Sequence, residues 1–348
     1  MTLTKSYATH NAKEPLKPWK FERRELNGND VLIEILYCGV CHSDIHIARS
    51  EWFPSIYPVV PGHEIVGRIS KTGTEVKNFK VGELAGVGCM VNSCKNCDTC
   101  NRGYEQFCKN GVVFTYNSID YDKNPTYGGY SNKIVVREEF AVHIAESMDL
   151  KGVAPLLCAG ITTYSPIKHW KIGNGHKVAV LGLGGLGHMA VKFAVSFGAE
   201  VTVLSTSPNK ESDAKKLGAH HFCYTKDEKQ VKKYQSYFDF IIDAVSAEHN
   251  YDMYLKMLAA YGTQILVGIP DKPIQLSPFS LLTNGRTITA SSIGGINETQ
   301  EMLDYCAKNN ITSDVEVIPI QYINDAYERM IKCDVKYRFV IDMKSIEA

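Results

Sequence analysis

The sequence predicts an α/β protein in two parts: a β-rich unit, and a doubly wound parallel sheet with crossover helices. Three observations predict it. The apolar run Val178-Ala-Val-Leu181 breaks into Gly182-Leu-Gly-Gly-Leu-Gly187, and a helix-forming segment follows. Before about residue 155 the apolar runs are short and bounded by Gly, Pro or polar clusters; after it they alternate with helical patterns. A strand pattern returns at the very end, in Lys336-Tyr-Arg-Phe-Val-Ile-Asp342.

In chain order, Asp30–Tyr37 reads as a strand with a buried face, and Glu64–Lys71, Leu84–Gly88 and Tyr130–Val136 as further strands. From residue 155 on, the strands expected are Lys177–Leu181, Glu200–Leu204, Phe238–Asp243, Thr263–Gly268 and Thr287–Ala290. Helices are expected at Met189–Phe197, Glu211–Leu217, Asn250–Leu258 and Glu298–Asn309. Strands alternating with helices make a parallel sheet. In the glycine run, Gly182 permits the tight turn, Gly184 lets a pyrophosphate approach the backbone, and Gly187 lets the helix pack on the sheet. Leu183, Gly185 and Leu186 complete the turn, whose N–H groups face the phosphates at the helix start. Dinucleotide binding is the reading preferred over a packing turn, because strand and helix flank the glycines.

With 348 residues, two domains are expected at about 150 residues each. A hydrophobic content of 44% suits a globular chain. A formal net charge of zero argues against nucleic acid or an anionic membrane as partner. No apolar run approaches the ~18 residues that span a bilayer. The polar start, Met1 to Lys20, lacks a signal-peptide core, so a cytoplasmic location is expected. In that reducing setting the 11 cysteines point to metal rather than disulfides.

Cys94-x2-Cys97-x2-Cys100-x7-Cys108 is the most specific local signal. Four thiolates at this spacing can wrap one tetrahedral zinc with no open position, a structural site. A bacterial ferredoxin run would place its fourth cysteine three residues on, followed by Pro; here the gap is seven and Lys109 follows. A second set is dispersed: Cys38-Gly-Val-Cys41-His-Ser-Asp-Ile-His46, Gly62-His63-Glu64 and Leu157-Cys158-Ala-Gly160. Two Cys and one His leave a zinc position open for substrate, but each residue taken alone reads equally well as core or surface. Local spacing does not decide.

Together with Pro61-Gly-His-Glu64, Tyr127-Gly-Gly-Tyr-Ser131, Leu157-Cys-Ala-Gly-Ile-Thr-Thr-Tyr-Ser-Pro166 and Tyr337-Arg-Phe-Val-Ile341, these motifs resemble the zinc-dependent medium-chain alcohol dehydrogenases, most closely the cinnamyl alcohol dehydrogenase branch. The resemblance covers nearly the whole chain. It implies a GroES-like catalytic domain from residues 1–154 and 296–348, with a Rossmann domain inserted at 155–295. It implies catalytic zinc on Cys41, His63 and Cys158, with Glu64 nearby or as an alternative ligand. Asp44 would fix the His63 tautomer, and Ser43 and His46 would relay the alcohol proton. Arg338 is implied as partner of Glu64 or of the cofactor phosphate, and Thr162 as a cofactor contact. Trp52, Met90 and Phe114 are the candidates for the substrate pocket wall. One departure, Gly82-Glu83-Leu84, is expected to touch local turns only.

An NAD site needs an acid about 20 residues past the glycines, on the ribose 2′-hydroxyl. Here that place holds Ser205-Thr206-Ser207-Pro-Asn-Lys210, with no acid between Glu200 and Glu211. Three hydroxyls and an ammonium suit a 2′-phosphate, so the expected cofactor is NADP(H), beside two zinc ions per chain. The expectation is a reversible alcohol dehydrogenase/aldehyde reductase for a small alcohol or aldehyde, aromatic or allylic, working as a homodimer paired near Thr287–Ser291. A polyol or secondary-alcohol dehydrogenase is the neighbouring enzyme reading. A zinc and NADPH-binding protein without turnover would not need an open zinc site. A zinc-ribbon nucleic-acid binder would need a basic stripe around Cys94–Cys108.

Overall fold

A computed structural model describes residues 2–270 and 272–347. They form two compact units: one runs to Ile161 and resumes at Gly294, the other is Thr162–Ile293. The first junction therefore lies inside a helix, Ala159–His169, and not at residue 154; the second lies near residue 293.

The first unit opens with a strand pair, β1 (Thr2–Ala8) and β2 (Lys17–Arg23), in the stretch whose polarity hid any strand pattern. Alternation of exposed and buried residues, with little apolar content, is enough for such a pair. Next come β3 (Asp30–Gly39), β4 (Ile65–Thr72), β5 (Leu84–Val87), a short pair β6 (Met90–Asn92) and β7 (Val113–Phe114), then β8 (Lys133–Arg137) and β9 (Val142–His143). The second unit supplies β10 (Lys177–Leu181), β11 (Glu200–Ser205), β12 (His221–Tyr224), β13 (Phe238–Asp243), β14 (Leu258–Leu266) and β15 (Thr287–Ala290). After it, β16 (Val315–Pro319) and β17 (Arg338–Asp342) return to the first unit.

That return builds the first unit's main sheet, ordered β16-β17-β3-β4-β5-β9, with β8 paired to β3. β17 runs antiparallel to β3, with Val340 opposite Gly39. β3 also pairs with β4, and the Gly39 N–H reaches the Glu64 carbonyl at 2.9 Å. The end of β3, the start of β4 and the start of β17 thus meet at one edge. Residues at or beside those ends (Cys41, His63, Glu64, Arg338) are brought together, although Arg338 lies 274 positions after Glu64.

The second unit's sheet is parallel throughout, ordered β12-β11-β10-β13-β14-β15. Relabelled from its first strand this is 3-2-1-4-5-6, the doubly wound dinucleotide-binding order. The helix Gly187–Ser196 is the crossover from β10 to β11; it buries Met189, Ala190, Val191 and Phe193. The expected helix at Asn250–Leu258 is shorter, Tyr251–Leu255, and Leu258 begins β14 instead. Asn250 caps it by accepting from the Met253 N–H at 3.0 Å. Among the described residues no helix is long and apolar enough to cross a membrane.

Candidate active site

The four-cysteine lobe closes on itself. The sulfurs of Cys94, Cys97, Cys100 and Cys108 lie within 4.8 Å of one another. Cys94 and Cys100 are 4.0 Å apart, against about 3.8 Å for sulfurs sharing a tetrahedral zinc with Zn–S bonds near 2.3 Å. The surroundings are those of thiolates: the Cys94 N–H donates to the Cys108 sulfur at 3.4 Å, and the Thr99 hydroxyl lies 3.1 Å from Cys97. The Thr99 hydroxyl leads the causes that pull Cys97 down to about 5, whereas burial pushes Cys100 up to about 12. Thiols crowded this way resist ionising together unless a cation joins them.

The dispersed set forms a second cluster, in which ligand atoms of Cys41, His63, Glu64 and Cys158 also lie within 4.8 Å. Cys41 is the N-cap of the helix His42–Ala48, and Asp44, in its first turn, accepts the Cys41 N–H at 2.8 Å. The other Asp44 oxygen faces His63 Nδ1 at 3.1 Å and accepts the Gly62 N–H at 3.0 Å; Tyr130 also donates to the carboxylate. With Nδ1 spoken for, Nε2 is the nitrogen left to ligate. Cys158 follows the turn Ala154–Leu157, its sulfur 4.0 Å from that of Cys41. This contact holds Cys41 well below the ordinary thiol range and pushes Cys158 well above it. The conflict again suits a divalent cation, and three nitrogen or sulfur donors leave one position open.

Around the cluster, Arg338 bonds Glu64 Oε1. Burial pushes the Glu64 carboxyl up to about 8, although the Arg338 charge pulls the other way. The Ser43 hydroxyl lies 3.6 Å from the Cys41 sulfur. His46 Nδ1 lies 2.6 Å from Glu51 Oε2, and its ring stacks on Trp52 with centroids 4.6 Å apart.

In the second unit, Gly182 turns with φ of +86°, and a methyl on Gly187 would run into the Gly182 carbonyl. Over Gly184 there is open space to 4 Å. Lys210 Nζ bonds the Leu183 carbonyl at 2.9 Å, which puts the ammonium on the glycine turn itself.

Two family models match: an alcohol dehydrogenase GroES-like domain over residues 27–146 and a zinc-binding dehydrogenase over 185–308. A probable formaldehyde dehydrogenase of Bacillus subtilis is 50% identical, covering 99% of this chain and 98% of its own. An NADP-dependent alcohol dehydrogenase C of Mycolicibacterium smegmatis is 49% identical, covering 100% of both chains. A solved cinnamyl alcohol dehydrogenase of Sorghum bicolor superposes with a TM-score of 0.96 at 41% identity, covering 99% of this chain and 98% of that one. The chain belongs to the zinc-dependent medium-chain alcohol dehydrogenases, in their cinnamyl alcohol dehydrogenase branch.

Within this dehydrogenase the expected residues fall as follows. Cys41, His63, Glu64 and Cys158 share one cluster and the four lobe cysteines another. Asp44 is on His63 and Ser43 beside Cys41. Of the two partners expected for Arg338, the structure gives Glu64. Met90 is 2% exposed and packs in the first unit's core, as deeply buried as His63. Phe114, its neighbour across the β6–β7 pair, is exposed. Ser205 is buried and its hydroxyl accepts the Ser207 N–H at 3.1 Å, while Thr206 is exposed. Thr162 is buried in the helix Ala159–His169. Glu51 is the residue sequence reading missed. Its signal was a carboxylate five positions after His46, within reach because the helix ends at Ala48 and the chain folds back.

Proposed function

We propose that this alcohol dehydrogenase is NADP(H)-dependent and interconverts primary alcohols and aldehydes, preferring aromatic or allylic ones. The observation that carries the reading is the open Cys41–His63–Cys158 set with the Ser43 hydroxyl 3.6 Å from one of its sulfurs. When bound, zinc supplies Lewis acidity toward the substrate oxygen and the nicotinamide supplies or takes up hydride. The chain's own residues do the rest. Cys41, His63 and Cys158 hold the metal, and Asp44 keeps the His63 proton on Nδ1. Ser43 takes the alcohol proton and hands it to His46, whose Nδ1 is oriented by Glu51 at 2.6 Å. That keeps charge from building up in a buried site.

The NADP(H) choice rests on the turn after β11. Ser205, Thr206, Ser207 and Lys210 supply hydroxyls and an ammonium and no carboxylate, and Lys210 already lies on the glycine turn. The NADP-dependent mycobacterial relative supports it. Ser205→Asp should shift preference toward NAD(H): a carboxylate at 205 can still accept the Ser207 N–H, so the turn survives while a 2′-phosphate is repelled. A homodimer is proposed through β15, which lies at the edge of its sheet.

The test is turnover of aromatic, allylic, short-chain and polyol substrates with NADPH and NADH in parallel. NADPH-driven reduction of an aromatic aldehyde, best among the substrates, is expected. Equal or better use of NADH refutes the cofactor choice, and a polyol preference refutes the substrate class.

A further inference from the structure

The segment after β13 is stapled by a largely buried histidine that the chemistry above does not use. Asp243 ends β13 and is almost wholly buried. Its carboxylate accepts from the Val245 N–H at 3.1 Å and from Gln264 Nε2 at 2.8 Å, and it faces His249 Nε2 at 2.9 Å. The other ring nitrogen of His249, Nδ1, lies 2.8 Å from the Ala247 carbonyl. A carboxylate and a carbonyl only accept, so both ring nitrogens must donate. A neutral imidazole carries one N–H; two such contacts require the imidazolium.

Among the described residues the groups facing that ring are few. Asp243 comes from β13, and Gln264, which is neutral, from β14. Tyr251 and Tyr254, on the helix Tyr251–Leu255, lie at ring distances of 4.2 and 5.7 Å. Glu248 is turned away, 2.8 Å from Lys272. Burial pulls the ring's pKa down, but the Asp243 bond and charge outweigh it and the net shift is upward.

The stapled segment borders the glycine turn. A methyl on Gly182 would press on Val245 Cγ2 at 2.7 Å, and one on Gly268 on the Val245 carbonyl at 2.6 Å. Val245 is wedged between the ends of β10 and β14. The strand order reverses between β10 and β13, where doubly wound sheets take their ligands.

We propose that His249 is a positioning residue for the dinucleotide: as an imidazolium it holds residues 244–248 against the glycine turn, and loss of its proton releases them and weakens nucleotide binding. This rests on the NADP(H) reading above. The raised pKa gives the sign: the staple is complete below imidazole's ordinary range and is lost as pH rises through the raised value.

The test is the dissociation constant for NADPH, measured on the zinc-loaded protein across imidazole's titration range, for wild type and His249→Gln. Glutamine can give Asp243 one donor and does not titrate. Wild-type affinity should fall about tenfold from the acidic to the alkaline side, and the variant should bind about tenfold more weakly with no such slope. The ratio of the two constants cancels titration of the nucleotide's own phosphate. Parallel profiles overturn the proposal and leave the cofactor reading intact. Failure of the wild type to bind NADPH at any pH overturns the cofactor reading and this proposal with it. A nitrogen–proton correlation spectrum of the wild-type imidazoles is independent of the variant's folding. It should find both His249 nitrogens protonated at neutral pH, and a single protonated nitrogen overturns the proposal.

Discussion

Arg338 sets its guanidinium on Oε1 of Glu64, with both side chains buried. Among the described residues Oε2 has no hydrogen-bond partner, and a methyl on Gly39 would run into it. The carboxylate is therefore held by one charge on one side and by bare backbone on the other. It stands beside three zinc-type donors with one oxygen to spare, free to face a metal while the other stays on Arg338.

Removing Arg338 alone should be costly. Arg338→Met strands a buried carboxyl that already sits near 8 and should destabilise the zinc-loaded protein by about 3 kcal/mol. Glu64→Gln combined with Arg338→Met should cost less than the sum of the single changes, because no unpaired charge remains. Urea denaturation of the four proteins measures this; strict additivity would show that the two groups do not act as a pair.

The two cysteine sets should separate in their consequences. Metal analysis should find two zinc ions per chain. Cys94→Ser opens the lobe, whose order depends on the metal, and should lower stability. Cys158→Ser should abolish turnover and leave the fold. One ion per chain in well-folded protein would contradict the two-site assignment.

The proton path predicts an ordered series. Ser43→Ala removes the hydroxyl nearest the Cys41 sulfur and should slow alcohol oxidation most. His46→Gln should slow it chiefly at low pH, where external base is scarce. Glu51→Gln should act in the same direction more weakly, about tenfold or less, by loosening the contact that orients the His46 ring. Zinc content should stay constant throughout. Near-normal rates for Ser43→Ala at every pH would remove the relay.

What could be read from sequence follows the range of each interaction. The lobe cysteines are local, and their spacing alone marks a metal site. The glycine turn is local too, flanked by its strand and helix. Cys41 and His63 meet through strand ends and Cys158 through the turn Ala154–Leu157, so spacing left them open and the resemblance supplied them. Glu51 and the Asp243–His249–Gln264 network lay outside that resemblance and had no pattern to announce them: each depends on how a loop folds back. Met90 opens the short strand β6, and nothing in Cys89-Met90-Val91 tells core from pocket. β1 and β2 were missed because their exposed faces dilute the apolar signal.

The glycine turn yields a contrast that separates packing from binding. Gly184 and Gly187 lie three residues apart in one motif, yet their surroundings differ. A methyl on Gly187 meets the Gly182 carbonyl, which is backbone and cannot swing away. Gly187→Ala must push the helix Gly187–Ser196 off its sheet, and a loss of about 3 kcal/mol is expected. A methyl on Gly184 meets nothing within 4 Å, and its φ is not in the left-handed region. Gly184→Ala should leave stability unchanged or raise it slightly, by about 0.5 kcal/mol, through the less flexible unfolded chain. Its methyl would stand where the pyrophosphate has to approach the backbone, so NADPH affinity should fall about tenfold or more. Thermal unfolding and NADPH titration of the two variants give both readouts. Wild-type affinity in Gly184→Ala would mean that the open space over this turn is not where the phosphates sit.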